Sequence, residues 1–191
     1  NCLTIIKDLK DDNNVYFLFH ERSSKVAESP GLIHAVPAGS LQPTCKISGT
    51  NFLVDANEFD KQLANTVLRE YFEELLSIEG MEELGSAKLM LSNEEYIKLK
   101  KNSRIYYMGI GLEPLNTKVE ILATMIHSFH GEYTYDKIEE LFKHKKNFEG
   151  DVKIKKFTKS MLEQFISDRH LTPSFRELLL KVYQYYDLFI S

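Results

Sequence analysis

Three glutamates crowd into the run Arg69-Glu70-Tyr71-Phe72-Glu73-Glu74, inside a stretch patterned as a helix. Helix positions three and four apart share a face, so Glu70, Glu73 and Glu74 form one carboxylate cluster. Like charges at this spacing repel by about a few tenths of a kcal/mol per pair. A solvated acidic face of an amphipathic helix tolerates that, and exposed glutamate runs are common. The same cluster suits a divalent hard cation, which takes several carboxylate oxygens at once. A second local feature lies upstream, His34-Ala35-Val36-Pro37-Ala38-Gly39. There an apolar strand is stopped by Pro37, and Gly39 gives the backbone freedom for a turn or a close approach.

Taken together, the acids and the Pro-Ala-Gly turn resemble the Nudix hydrolase superfamily. The family's box reads Gly, five residues, Glu, seven residues, then Arg-Glu-apolar-x-Glu-Glu-x-Gly-apolar, and an apolar-Pro-Gly-Gly strand end precedes it. The chain carries the Arg-Glu-apolar-x-Glu-Glu core at 69–74. It departs at Lys61 in place of the first Glu, and at Leu76 and Ser77 in place of the final Gly and apolar residue. The Pro-Ala-Gly lies about twice as far from Arg69 as the family places it, which puts an insertion at 41–54.

The resemblance implies a fold, an activity and a set of roles. The fold is α/β, a Nudix-like α/β/α sandwich with a mixed sheet and extra C-terminal helices. The activity is metal-dependent hydrolysis of a nucleoside diphosphate-linked (pyrophosphate) substrate. Mg²⁺ or Mn²⁺ would be held by Glu70, Glu73, Glu74 and the Gly39 carbonyl. Arg69 would orient the acids, Arg22 would face a substrate phosphate, and Gln42 in the insertion would contact substrate. Glu113 or Glu120, near late strand ends, would add an acid. Lys61 and Leu76 also fit a different outcome, a Nudix-like ligand-binding or regulatory domain of a larger protein with weak or no turnover.

The elements that must position these residues follow from pattern. Leu3-Thr4-Ile5-Ile6 and Val15-Tyr16-Phe17-Leu18-Phe19-His20 read as strands joined by the turn signal Asp11-Asp12-Asn13-Asn14. A third strand covers 32–36. The insertion reads as an irregular loop or small hairpin beside the site. Asp55-Ala56-Asn57-Glu58 has the cap-x-x-acid form that opens a helix, and Gly80 closes it. Leu63, Val67, Tyr71 and Leu75 recur on that helix at spacings of four, giving the face that packs inward.

Farther on, 87–91 reads as a strand, 92–100 as a short capped helix, and 105–112 and 119–127 as strong strands. The stretch 134–145 reads as a helix. The basic runs 143–146 and 153–156 read as solvated surface or as a steering patch for polyphosphate. Two helices close the chain, one capped by Thr158 and one opening at Pro173. The core is expected over 1–130, with 131–191 a helical extension packed on the same domain. A last helix with so wide an apolar face covers a sheet or builds a homodimer interface.

Composition bounds the rest. The chain has 191 residues, 43% apolar and 27% charged, as in ordinary globular proteins. A net charge of -4 argues against direct nucleic-acid binding, and the resemblance to Nudix hydrolases implies a nucleotide-type small molecule as partner. Two cysteines are too few for a disulfide scaffold, which makes a reducing, cytoplasmic setting the default. No apolar run is long enough to span a membrane. The chain begins at Asn1, almost directly on a strand, and reads as an excised domain with sequence upstream.

Overall fold

Strands made mostly of apolar residues bury both faces, and two of them open the chain. In the computed structural model the first six residues of β1 (Cys2–Asp8) and of β2 (Val15–Arg22) are all buried. The structure describes residues 1–8, 11, 14–25, 29–39, 44–46, 53–55, 63–71, 74–75, 98, 100–113, 118–129, 146–147 and 150–191. The remaining elements are β3 (Ile33–Ala35), β4 (Thr44–Lys46), β5 (Leu53–Asp55), α1 (Leu63–Tyr71), β6 (Ser103–Glu113), β7 (Lys118–Phe129), β8 (Lys146–Asn147), β9 (Gly150–Lys156), α2 (Lys159–Ile166), α3 (Pro173–Gln184) and α4 (Tyr186–Ile190). The chain divides into two units, Asn1–Val36 with Ser103–Ser191, and Pro37–Asn102.

Among the described residues the first unit is built on a seven-stranded sheet. Its order is β6-β7-β1-β2-β9-β8, with β3 also on β2. β1 runs parallel to β7, Cys2 opposite Ala123 through Asp8 opposite Phe129. The other described ladders are antiparallel. The α/β fold with a mixed sheet expected from the sequence is therefore the fold observed.

β9 lies along β2 from Tyr16 to Arg22, so β1 and β3 must share the other edge of β2, at 15–17 and 19–21. Where they meet, the Thr4 hydroxyl donates to the Val36 carbonyl at 2.9 Å. That bond fixes the strand end from which the chain leaves toward Pro37.

β9 corrects one expectation. The sequence reading took 153–156 as a basic run, solvated or steering a polyphosphate, and its lysines are exposed, but it assigned no strand there. Val152 and Ile154 are instead buried while Lys153, Lys155 and Lys156 are exposed. The apolar residues alternate with the lysines at the two-residue period of a half-buried strand. Gly150 makes the entry to β9 possible. Its φ is +149°, and a side chain there would strike the backbone of Glu21 and Arg22 on β2.

The closing helices pack on this sheet. Thr158 caps α2, its hydroxyl accepting from the Met161 N–H at 3.1 Å, and Pro173 occupies the first turn of α3. Both features were legible in the sequence. Phe175, Leu178, Leu179, Val182 and Phe189 join Leu3, Ile5, Phe17, Phe19, Leu122 and Phe157 in one core. Burying each such side chain contributes about 1.5–3 kcal/mol. Phe165 of α2 meets Phe17 and Phe19 edge-on at ring separations of 5.2 and 4.9 Å. Lys7 donates to the Ile190 and Ser191 carbonyls at 2.9 and 3.1 Å, placing a cation at the end of α4, where the helix dipole favours it.

The second unit carries a hairpin and the acidic helix. β4 and β5 pair antiparallel with Cys45 opposite Val54, so the described part of the insertion is a hairpin. Asp55, read as a helix cap, is paired with Thr44 at the end of β5. On α1, Val67, Leu68 and Tyr71 are buried, and Leu75 follows on the same stripe. Burial raises the Tyr71 phenol pKa. The strand expected at 87–91 and the helix at 134–145 lie outside the described residues.

Candidate functional site

Helical spacing puts Glu70 and Glu74 one turn apart on one face, and the loop at 37–39 runs against that face. The Ala38 N–H points at the Glu74 carboxylate, 3.3 Å from Oε1 and 3.2 Å from Oε2. A backbone donor held this way favours the ionised carboxylate and fixes its position. Gly39 approaches Glu70 so closely that a Cβ at residue 39 would overlap the Glu70 carboxyl group. The glycine is needed here for proximity, since its φ is not in the left-handed range. Both acids are half-buried, and Glu74 and Leu75 are wound in a wider π-type turn.

The loop and the two acids come from segments more than thirty residues apart, and all lie in the second unit. Of the other expected site residues, Arg69 is a helical position of α1, while Glu73 and Gln42 lie outside the described residues. Among the described residues no group of three His, Cys, Asp or Glu is arranged to hold a metal ion.

The donor chemistry at 37–39 suits a hard divalent cation. It offers carboxylate oxygens from Glu70 and Glu74, with no thiolate or imidazole among these residues. The space at Gly39 is filled by the acid itself and would be lost to any side chain. One residue escaped the sequence reading. Thr66, four positions before Glu70, has a buried hydroxyl with no hydrogen-bond partner. Helix threonines commonly bond back to the preceding turn. The i, i+4, i+8 series Thr66, Glu70, Glu74 was the available signal.

Arg22 belongs to the sheet unit. Its backbone N–H donates to the Leu32 carbonyl at 3.0 Å, and its Nε is buried without a hydrogen-bond partner. His34 lies opposite His20 across the β2–β3 ladder. Burial pushes the His34 imidazole down to about 4, and the charge of Arg22 adds to that, while the bond to the Ala35 carbonyl opposes it. His34 is therefore neutral near pH 7, and Arg22 is the fixed charge of this group. Glu120 is buried and accepts from the Asn1 side-chain amide at 2.6 Å. Glu113 ends β6 opposite Lys118.

No protein-family model matches the sequence, and no curated protein matches it. The structure is similar to a MutT protein from Methanosarcina mazei Go1 at 15% identity, covering 97% of this chain and 92% of that one, with a TM-score of 0.46. It is also similar to a Nudix hydrolase from Alicyclobacillus acidocaldarius at 16% identity, covering 94% of this chain and 89% of that one, with a TM-score of 0.48. Among the described residues no helix is long and apolar enough to cross a membrane.

Proposed function

We propose that the chain is a Nudix-type hydrolase that cleaves a nucleoside diphosphate-linked substrate at its pyrophosphate, with Mg²⁺ or Mn²⁺ at Glu70, Glu73 and Glu74. The observation that carries this reading is the meeting of Glu70 and Glu74 with residues 38 and 39, the segment that the box resemblance pairs with these acids. A bound divalent cation would supply positive charge against the diphosphate oxygens and acidify a water.

This chain's own residues do the rest. The Ala38 N–H fixes the Glu74 carboxylate in place, and the close backbone at Gly39 confines Glu70. Glu70 orients the attacking water and receives its proton as the new P–O bond forms and the bridging P–O bond breaks. Glu73 and the Gly39 carbonyl complete the oxygen donors, and Arg69 orients the helix acids. Arg22 would neutralise a substrate phosphate through its guanidinium, as bidentate arginine does well. Gln42, in the insertion, would read the group beyond the diphosphate. The chain has two cysteines, of which Cys2 is buried, and so low a cysteine count suits a reducing cytoplasm.

Lys61 and Leu76 favour a second reading, a ligand-binding domain that kept the fold and lost turnover. The test is a screen of nucleoside diphosphate derivatives with and without Mg²⁺, repeated on Glu70→Gln and Glu74→Gln. Metal-dependent cleavage abolished by either substitution supports the hydrolase. A ligand-induced rise in melting temperature with no cleavage moves the assignment to the binding domain. Cleavage indifferent to both substitutions removes the site.

A further inference from the structure

β6 is the edge strand of the sheet among the described strands, and it is long. Edge strands present unpaired N–H and C=O groups, and proteins usually blunt them with charges, bulges or covering elements. This edge has a bulge between Tyr107 and Gly109 and a charged residue near each end, Arg104 and Glu113. It also carries large exposed apolar side chains. Tyr107 is 58% exposed, Ile110 65%, and Leu112 64%.

The bulge decides which face these residues occupy. Tyr106 meets Phe189 of α4 edge-on at 5.5 Å, so its neighbour Tyr107 points to the sheet face away from the helices. In an unbroken strand, Ile110 would fall on the face opposite to Tyr107, three residues away. The extra residue shifts the alternation by one. Ile110 is opposite Ile121 and Leu112 opposite Val119, on the face that Tyr107 shares with Ala123. Val119, 63% exposed, extends the patch onto β7.

We propose that a second copy of this chain pairs with the β6 edge, antiparallel, about a two-fold axis passing between Met108 and Gly109. In that register Tyr107 faces Ile110 of the other copy, Ile105 faces Leu112, and Tyr106 faces Gly111. Arg104 stands opposite the acidic position 113 at both ends. Residues directly opposite in an antiparallel pair must share a face and a hydrogen-bonding direction. The bulge satisfies both conditions for every pair, because it shifts both alternations at the centre of the palindrome. Without it the same sequence would set exposed residues against inward ones. Charge complementarity fixes the register, since a slip by two residues removes both Arg–Glu pairs. Lys181, whose Cε would stand 3.6 Å from a Cβ at Gly109, is paired with Glu177 at 3.5 Å and brings no unbalanced charge to the axis.

Sedimentation velocity on the whole chain tests this, over concentrations spanning about 10 µM, the affinity scale expected of a small strand-edge interface. A concentration-dependent monomer–dimer equilibrium is expected. Ile110→Lys should raise the dissociation constant at least about 100-fold, because it places two cations beside the axis. Arg104→Glu should raise it roughly tenfold, and the double exchange Arg104→Glu with Glu113→Arg should restore it. Circular dichroism melts confirm that each variant folds, and the exposed positions make that the expected result. A wild-type chain monomeric well above this range overturns the proposal. So does a dimer unmoved by Ile110→Lys, or one in which the double exchange is no better than the single. None of these readouts involves hydrolysis, so the outcome is independent of the proposed activity.

Discussion

The sheet unit and the loop-helix unit are held together in different ways. In the first, β1 pairs with β7 across more than a hundred residues of sequence, and the core is closed by Phe17, Leu178, Val182 and their neighbours. Its polar groups tie ends down, as Lys7 does at α4 and Asn1 does at Glu120. In the second, charge sits half-buried beside a main-chain loop, and a single glycine sets the distance. Apolar area stabilises one region. In the other, acidic groups are held near one another at a cost in repulsion. Stability and chemistry should therefore respond to different substitutions.

Leu178→Ala is the strongest test from the side of the sheet. The residue is fully buried, and the substitution should destabilise the fold by about 3–4 kcal/mol in chemical denaturation, while the metal requirement of any residual activity stays unchanged. A change in metal requirement would show that the two regions are not separable. Next comes acid. Burial pushes the His127 imidazole down from 6.5 to about 4 in the folded chain. Between those values the unfolded chain takes up a proton that the folded one refuses. The contribution of His127 is thus whole near neutrality and falls by about 3 kcal/mol as the pH drops to 4, with buried His34 adding a loss in the same window. His127→Gln, which keeps a partner for the Ser103 hydroxyl now 2.9 Å from Nδ1, should flatten that part of the profile. An unchanged slope would place the acid sensitivity elsewhere.

From the other region, Glu74→Gln should lower the turnover proposed above by roughly 100-fold or more, equivalent to about 2.7 kcal/mol. The melting temperature should stay within about two degrees of the wild type, because the amide oxygen still accepts from Ala38. A melting temperature that collapses with the activity would merge the two regions into one. Gly39→Ala sharpens the comparison with the smallest change. A methyl group there must displace the Glu70 carboxylate, so activity should fall about tenfold, near 1.4 kcal/mol, with little loss of stability. Full activity in this variant would show that the position of Glu70 is irrelevant to turnover.

Much of this division was legible in advance, for a local reason. Buried strands such as Val15–Arg22 announce themselves as apolar runs, α1 as a four-residue stripe, and α2 by its Thr158 cap. Each signal lies within a few residues of what it specifies. β9 was misread for an equally local reason, since a run of lysines masked the alternation of Val152 and Ile154. Thr66 was missed because its one local signal, the four-residue spacing to Glu70 and Glu74, says nothing of whether the hydroxyl is buried.

The sequence by itself determined the periodicities, the carboxylate cluster at 70–74 and the turn at 37–39, because side-chain spacing and backbone stereochemistry are set within a few residues. Only the tertiary structure decided that Gly39 would press on Glu70 and the Ala38 N–H on Glu74. It alone placed a bulge at Tyr107/Gly109 that turns Ile110 and Leu112 to the face of Tyr107. Those outcomes depend on which distant segments come into register, and no local spacing specifies that.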